Sequence, residues 1–271
     1  MLRWTTLGVV VLSIAFSSLV DLLPIGGVSV GTMSARYPTP FTPAPYAFAI
    51  WGFIYAAQIA YCVAQLLPSR RSEAVFDKLA PWVMASNVLC AAWVAVFRYE
   101  LLGVSVAIIV ATSATALAAF LVASAAVQRG GHRFVLTVPF AALLGWLCVA
   151  TIADVALVLS SYGWQGGRLG PQGWTVTMLA TAVAIGCAVG IGFRQFVVPA
   201  VVAWAACAIW VADRSTYPTA ATAALAAAGI AGLVALMLAL ARLLGHSSPV
   251  AGAHVLWLIR GEHVPRRAPG Q

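Results

Sequence analysis

The sequence predicts an all-α membrane protein, a polytopic helix bundle of about eight transmembrane helices. Of the 271 residues, 62% are hydrophobic and 8% charged, and mean hydropathy is +0.97; a soluble domain of this length could not cover its surface. The charged residues fall in short clusters, and the uncharged runs between them are long enough to cross a hydrocarbon core of ~30 Å as helix. These runs are apolar on every face, whereas barrel strands would alternate apolar and polar side chains over roughly ten residues.

The first span is read at Trp4–Leu23. Arg3 followed by an apolar stretch through Val20 has the look of a signal peptide, but no convincing small-residue cleavage site precedes Asp21, so a retained helix is expected. Residues 24–44 are rich in Gly, Pro, Ser and Thr and form the longest connection before the tail, as a structured cap over the mouth of a cavity would. In the second span, Pro45–Leu67, prolines break the approach and helix starts near Tyr46. Phe48, Trp51 and Tyr55 then recur at spacings of three and four, so they share a face and build an aromatic wall. That wall either packs against a neighbouring helix, lies in the interfacial belt or lines a cavity.

The third span, Leu79–Phe97, follows Arg70, Arg71 and Lys78 and carries Asn87 and Trp93. The fourth, Leu101–Val127, is free of charge; the fifth, Phe134–Ser160, holds Trp146 and Asp154. A sixth is read at Gly173–Phe193 and a seventh at Phe196–Ala212, which has about the minimum length for a crossing and is alternatively a hairpin or re-entrant segment. The eighth, Pro218–Ala241, is dominated by alanine with Gly229 and Gly232, small residues that let helix backbones approach closely in a bilayer. Residues 245–271, with Arg260, Arg266, Arg267 and three prolines, read as a tail near the anionic inner leaflet with Trp257 as interfacial anchor, or as plain disorder.

Eight spans place eleven basic residues on one face and four (Arg36, Arg98, Arg168, Arg214) on the other. Basic loops stay in the cytoplasm, so both termini are expected there, in a multi-pass protein of the inner or plasma membrane. The same bias accounts for a pI near 9.7 without nucleic acid as a partner. All five cysteines (Cys62, Cys90, Cys148, Cys187, Cys207) lie within spans with no CxxC and no neighbouring histidine, so packing rather than zinc or disulfide chemistry is expected. His132, His246, His254 and His263 sit in loops or tail, which leaves no intramembrane imidazole for a haem iron. No phosphate-cradling glycine loop or nucleophile elbow is present, and the loops are too short to house one.

The proline-rich approach followed by Tyr46 to Tyr55, with Trp51-Gly-Phe-Ile-Tyr55, resembles the second helix of the tryptophan-rich sensory protein family, related to the translocator protein or peripheral benzodiazepine receptor. Asn87 and Trp93 are similar to the asparagine and tryptophan of that family's third helix, and Pro139, Trp146 and Asp154 to its fifth. Gly163-Trp164 and Gly173-Trp174 resemble features of the longer bacterial members, which add helices after a five-helix core. Three departures bear on ligand identity: Asp154 stands where the family usually has asparagine, Cys90 where a tryptophan is common, and Pro139 lies farther from Trp146 than in compact members.

The resemblance implies a five-helix core at 1–162 with the cap at 24–44, three additional helices at 163–244 and a cytoplasmic tail at 245–271. It further implies an intramembrane pocket for a planar apolar ligand, tetrapyrrole or sterol-like, with Phe48, Trp51, Tyr55, Trp93 and Trp146 as aromatic surfaces and Asn87 and Asp154 as polar contacts. No cofactor is expected, a tetrapyrrole counting as ligand. The expected partners are the bilayer, a small apolar ligand and, as an open alternative, a second copy of the chain.

A carboxylate within a span costs ~2.5 to 3.5 kcal/mol on insertion scales and by default faces a cavity, water or a partner. Asp21, near a helix end, can reach interfacial water, whereas Asp154, a turn or two inside the outer interface, either lines a cavity or stays close to that interface. Three function classes follow: a ligand-binding sensor or regulator, a secondary transporter using Asp154 as proton or cation site, and an enzyme. The last is not expected, because little beyond Asp154 could act as general acid or redox group.

Overall fold

Each apolar run forms a helix, and the described residues, 1–22, 36–127 and 133–244 of a computed structural model, contain eight α-helices. They are α1 (Leu2–Leu22), α2 (Ile50–Ala64), α3 (Val75–Arg98), α4 (Leu102–Val127), α5 (Arg133–Ser161), α6 (Gly170–Phe193), α7 (Val197–Asp213) and α8 (Pro218–Leu243). Most of the expected cap, the side chain of Asp21, all four histidines and the tail with Trp257 lie outside the described residues.

Three boundaries differ from the expected ones for local reasons. The second span opens with a 3₁₀ turn, Pro45–Ala49, before α2, because Ala44 is held extended ahead of a proline that has no N–H to donate. Helix α3 begins four residues early, since Asp77 in its first turn faces the helix's positive end and pairs with Arg3. Helix α6 begins at Gly170 because Pro171 suits the first helical position.

Seven of these helices, counting α2 together with its 3₁₀ turn, are long and apolar enough to span a bilayer; α7, with 17 residues, is shorter, at ~26 Å. Val198, Ala205, Ala208 and Ile209 of α7 are fully buried, for α5, α6 and α8 all pack against it. The approach is close because glycines face it: Gly145 of α5 meets Val198 and Val201, Gly186 of α6 meets Val202, and Gly190 of α6 meets Pro199. Gln195 in the α6–α7 turn reaches α5, donating from Nε2 to Thr137 Oγ1 at 2.8 Å.

Packing closes the first five helices on themselves. Helix α1 lies against α2 and α3, α3 against α4, α4 against α5, and α5 returns to α2. Helices α6, α7 and α8 form a second group docked on α5. The end of the ring that holds the chain's N-terminus is shut by aromatic packing, Tyr61 contacting Phe140 (centroids 5.1 Å) and Phe76 (5.7 Å), all three almost fully buried. Arg3 seals the same end. Its guanidinium donates to both Asp77 oxygens (3.1 and 3.0 Å) and to the carbonyls of Gln65, Arg70, Arg71 and Glu73, fixing the α2–α3 connection. Large apolar side chains such as Leu233, Leu236, Met237 and Leu240 of α8 point outward, as on a lipid-facing surface.

Candidate functional site: a capped aromatic cavity

Inside the five-helix ring, toward the end opposite Arg3, lies a cavity of about 50 Å³. Its roof is Thr42 and Pro43, the described end of the cap. Phe41, beside them, is fully buried, and the turn is held by Thr42 N–H donating to Thr39 O at 2.9 Å. Farther along the cap, Arg36 pairs with Glu100 in the α3–α4 turn, and the Tyr37 hydroxyl donates to the same carboxylate at 3.3 Å. Glu100 adopts a left-handed φ of 57°, which bends the chain sharply between α3 and α4.

The walls come from four helices and the 3₁₀ turn. Phe48 and Trp51 project from the start of the second span, and each meets Trp146 of α5 edge-to-face, at centroid distances of 5.8 and 6.3 Å. Such arrangements set the positive edge of one ring against the negative face of another. Trp93 and Phe97 of α3, one turn apart, stack at 4.9 Å on the opposite wall, with Cys90 a turn deeper. Ile109 and Thr112 of α4 complete the enclosure.

Among the described residues, Asp154 is the one acidic side chain on this wall, and it is 3% exposed. Trp93 Nε1 donates to its Oδ2 at 3.0 Å, and the Ser105 hydroxyl lies 3.0 Å from both carboxyl oxygens. These contacts join α3, α4 and α5 at one point. The Ser105 hydroxyl is also 2.7 Å from Leu102 O, so its single proton has two competing acceptors.

Five of the seven residues singled out from sequence, Phe48, Trp51, Trp93, Trp146 and Asp154, therefore meet at the cavity. Tyr55 stands behind the wall, its ring 5.4 Å from Trp51 and tilted by 33°. Asn87 is not on the wall; it is buried one turn below Cys90, with Nδ2 donating to Val83 O at 2.9 Å. Sequence reasoning passed over Thr42, Pro43, Phe97, Thr112 and Ser105. Phe97 carried a signal in its four-residue spacing from Trp93, but Ser105 is one small polar residue among many and carried none.

The family model described as TSPO-like protein matches residues 3–237. The chain belongs to the TSPO-like protein family. No curated protein and no solved structure matches it. The TSPO-like match extends beyond the five-helix ring across α6 and α7 and into α8, and contacts show how these helices bear on the cavity. Ala208 O of α7 accepts from Ala44 N at 3.0 Å, Trp204 Nε1 donates to Ala47 O at 3.0 Å, and the Trp204 ring meets Tyr46 edge-on at 5.4 Å. Helix α7 thus braces the backbone that carries Phe48 and Trp51 in this TSPO-like chain.

Proposed function

We propose that this membrane protein binds a planar apolar ligand, of tetrapyrrole or sterol-like shape, between Trp51 and Trp146, and that it acts as a sensor or regulator rather than as an enzyme. The observation that supports this most is the convergence of Phe48, Trp51 and Trp146 on one largely apolar cavity beside Thr42 and Pro43. At about 50 Å³ the cavity is far below the ~300 to 1,000 Å³ of ordinary ligand sites, so a full macrocycle requires its walls to part. The proposal puts both termini in the cytoplasm, in a plasma or inner membrane, on the strength of eleven basic residues on that face against four on the other.

Titrating the detergent-purified protein with protoporphyrin IX, followed by tryptophan fluorescence with inner-filter controls, tests the reading. Saturable binding that weakens in both Trp51→Ala and Trp146→Ala, each shown to be folded, supports it; binding indifferent to both changes refutes it. A second reading, secondary transport with Asp154 as proton or cation site, has one observation in its favour, the burial of that carboxyl on the cavity wall. The packed rings of Tyr61, Phe76 and Phe140 at the end away from the cavity favour the sensor.

A further inference from the structure

We infer that the ligand of this cavity is an amphipathic monocation, a protonated amine seated against Asp154 with a slender apolar body running back along Trp51 and Trp146. The inference rests on the reading of the cavity as a ligand site, keeps its aromatic walls, and replaces the tetrapyrrole or sterol-like shape with a slender cation.

The charge balance of the wall points this way. Asp154 is a carboxyl enclosed by protein, and among the described residues the cavity lining contains no lysine, arginine or histidine to neutralise it. An ionised carboxylate offers about four lone-pair sites. Here two neighbours approach it: the Trp93 indole, which can only donate, and the Ser105 hydroxyl, whose proton Leu102 O contests at the shorter distance of 2.7 Å against 3.0 Å. At least half of the acceptor capacity is therefore unfilled by these two, in surroundings too apolar to supply it. An ammonium group brings both positive charge and several N–H donors, and it removes the penalty that a neutral ligand would leave standing.

The rings around the carboxyl suit the same occupant. Trp93 and Phe97 stack at Asp154's end of the cavity, and Trp51 and Trp146 stand deeper. Indole faces attract cations, and most strongly where water is excluded. Eight residues of α5 separate Trp146 from Asp154, or ~12 Å along the helix axis, which sets the reach from the charge to the apolar end. A volume of about 50 Å³ accommodates a narrow aryl-alkyl chain with less displacement than a macrocycle demands.

The experiment compares two probes of nearly equal shape, 4-phenylbutylamine and 4-phenylbutan-1-ol, binding to the full chain in a neutral maltoside detergent, measured by calorimetry. The wild type is expected to bind the amine about tenfold or more tightly than the alcohol, and Asp154→Asn to reduce that preference to about twofold or less. Asparagine keeps the local hydrogen bonds, its oxygen accepting from Trp93 and its amide donating to Ser105, so the variant is expected to fold. Trp146→Ala is expected to weaken both probes alike. Equal affinities in the wild type would overturn the cation assignment and leave the pocket standing, as would an amine preference that survives Asp154→Asn. If neither probe binds and protoporphyrin IX also fails, the pocket itself is refuted. The wild-type ratio decides the matter even if the Asp154 variant is unstable.

Discussion

Replacing Gly190 by alanine tests one of the three close glycine contacts that seat α7. A Cβ at this position would lie 2.8 Å from Pro199 Cδ, 2.9 Å from Pro199 Cγ and 3.3 Å from Gln195 O. Carbon atoms in good contact sit ~3.5 to 4.0 Å apart, so the shortfall is ~0.7 Å. A proline ring is tied to its backbone and cannot swing aside, so the α6–α7 crossing must open or the turn through Arg194, already at a φ of 52°, must readjust. Overpacking of this kind costs ~1 to 3 kcal/mol, against ~0.5 to 1 kcal/mol recovered from alanine's better helix propensity. The expected net loss is ~0 to 2.5 kcal/mol.

Gly192 is the internal control, because it lies in the same helix two residues on and a Cβ there meets nothing within 4 Å. Gly192→Ala is expected to be neutral or to stabilise by up to ~1 kcal/mol. Thermal unfolding of the two variants in one detergent, followed by intrinsic fluorescence, should move the midpoint in opposite directions from the wild type, or down and not at all. Identical shifts would refute the account of α7 as a helix wedged against glycines.

Trp204→Phe removes the hydrogen bond to Ala47 O while keeping a ring near Tyr46; stability should fall by ~0.5 to 1.5 kcal/mol, and affinity at the cavity should weaken without loss of sites in a calorimetric titration. Arg3→Lys keeps the charge but loses the planar fork that reaches Asp77 and four carbonyls; a midpoint lowered by the equivalent of ~1 to 3 kcal/mol is expected, and a wild-type midpoint would show that the charge alone matters. Asp154→Asn should leave thermal stability within ~0.5 kcal/mol of wild type, whereas Asp154→Leu, which strands the buried Trp93 N–H, should cost ~1 to 3 kcal/mol in the same assay. A reporter enzyme fused after Gln271 that is active only in the cytoplasm should be active, given eleven basic residues on that face against four; activity confined to an exported reporter would reverse the topology.

Several features were legible before any coordinates because they depend on near neighbours in the chain and on the solvent. Bilayer length and the need to satisfy every backbone group dictate a helix wherever an uncharged apolar run of about twenty residues occurs, and eight such runs became eight helices. The shared face of Phe48 and Trp51 follows from helical spacing after a proline break, and the tryptophans at 51, 93 and 146 carried enough pattern to suggest a pocket.

Other features arise from juxtapositions between residues far apart in the chain, where no periodicity points. Asn87 and Cys90 are three residues apart on α3, and only the rotation of that helix against α4 and α5 decided that the thiol faces the cavity while the amide turns to its own backbone. Ser105 acquired its role from the α4–α5 contact, and Arg3, readable as a topological charge, became a clamp because α1 and the α2–α3 connection end side by side. In a bilayer the apolar side chains of all eight helices are equally at home facing lipid or one another, so hydropathy specifies that helices form and span but not which faces meet. Those choices rest on close-range packing, on glycines at 145, 186 and 190 and on a few polar bonds, and these take effect only when the helices are assembled.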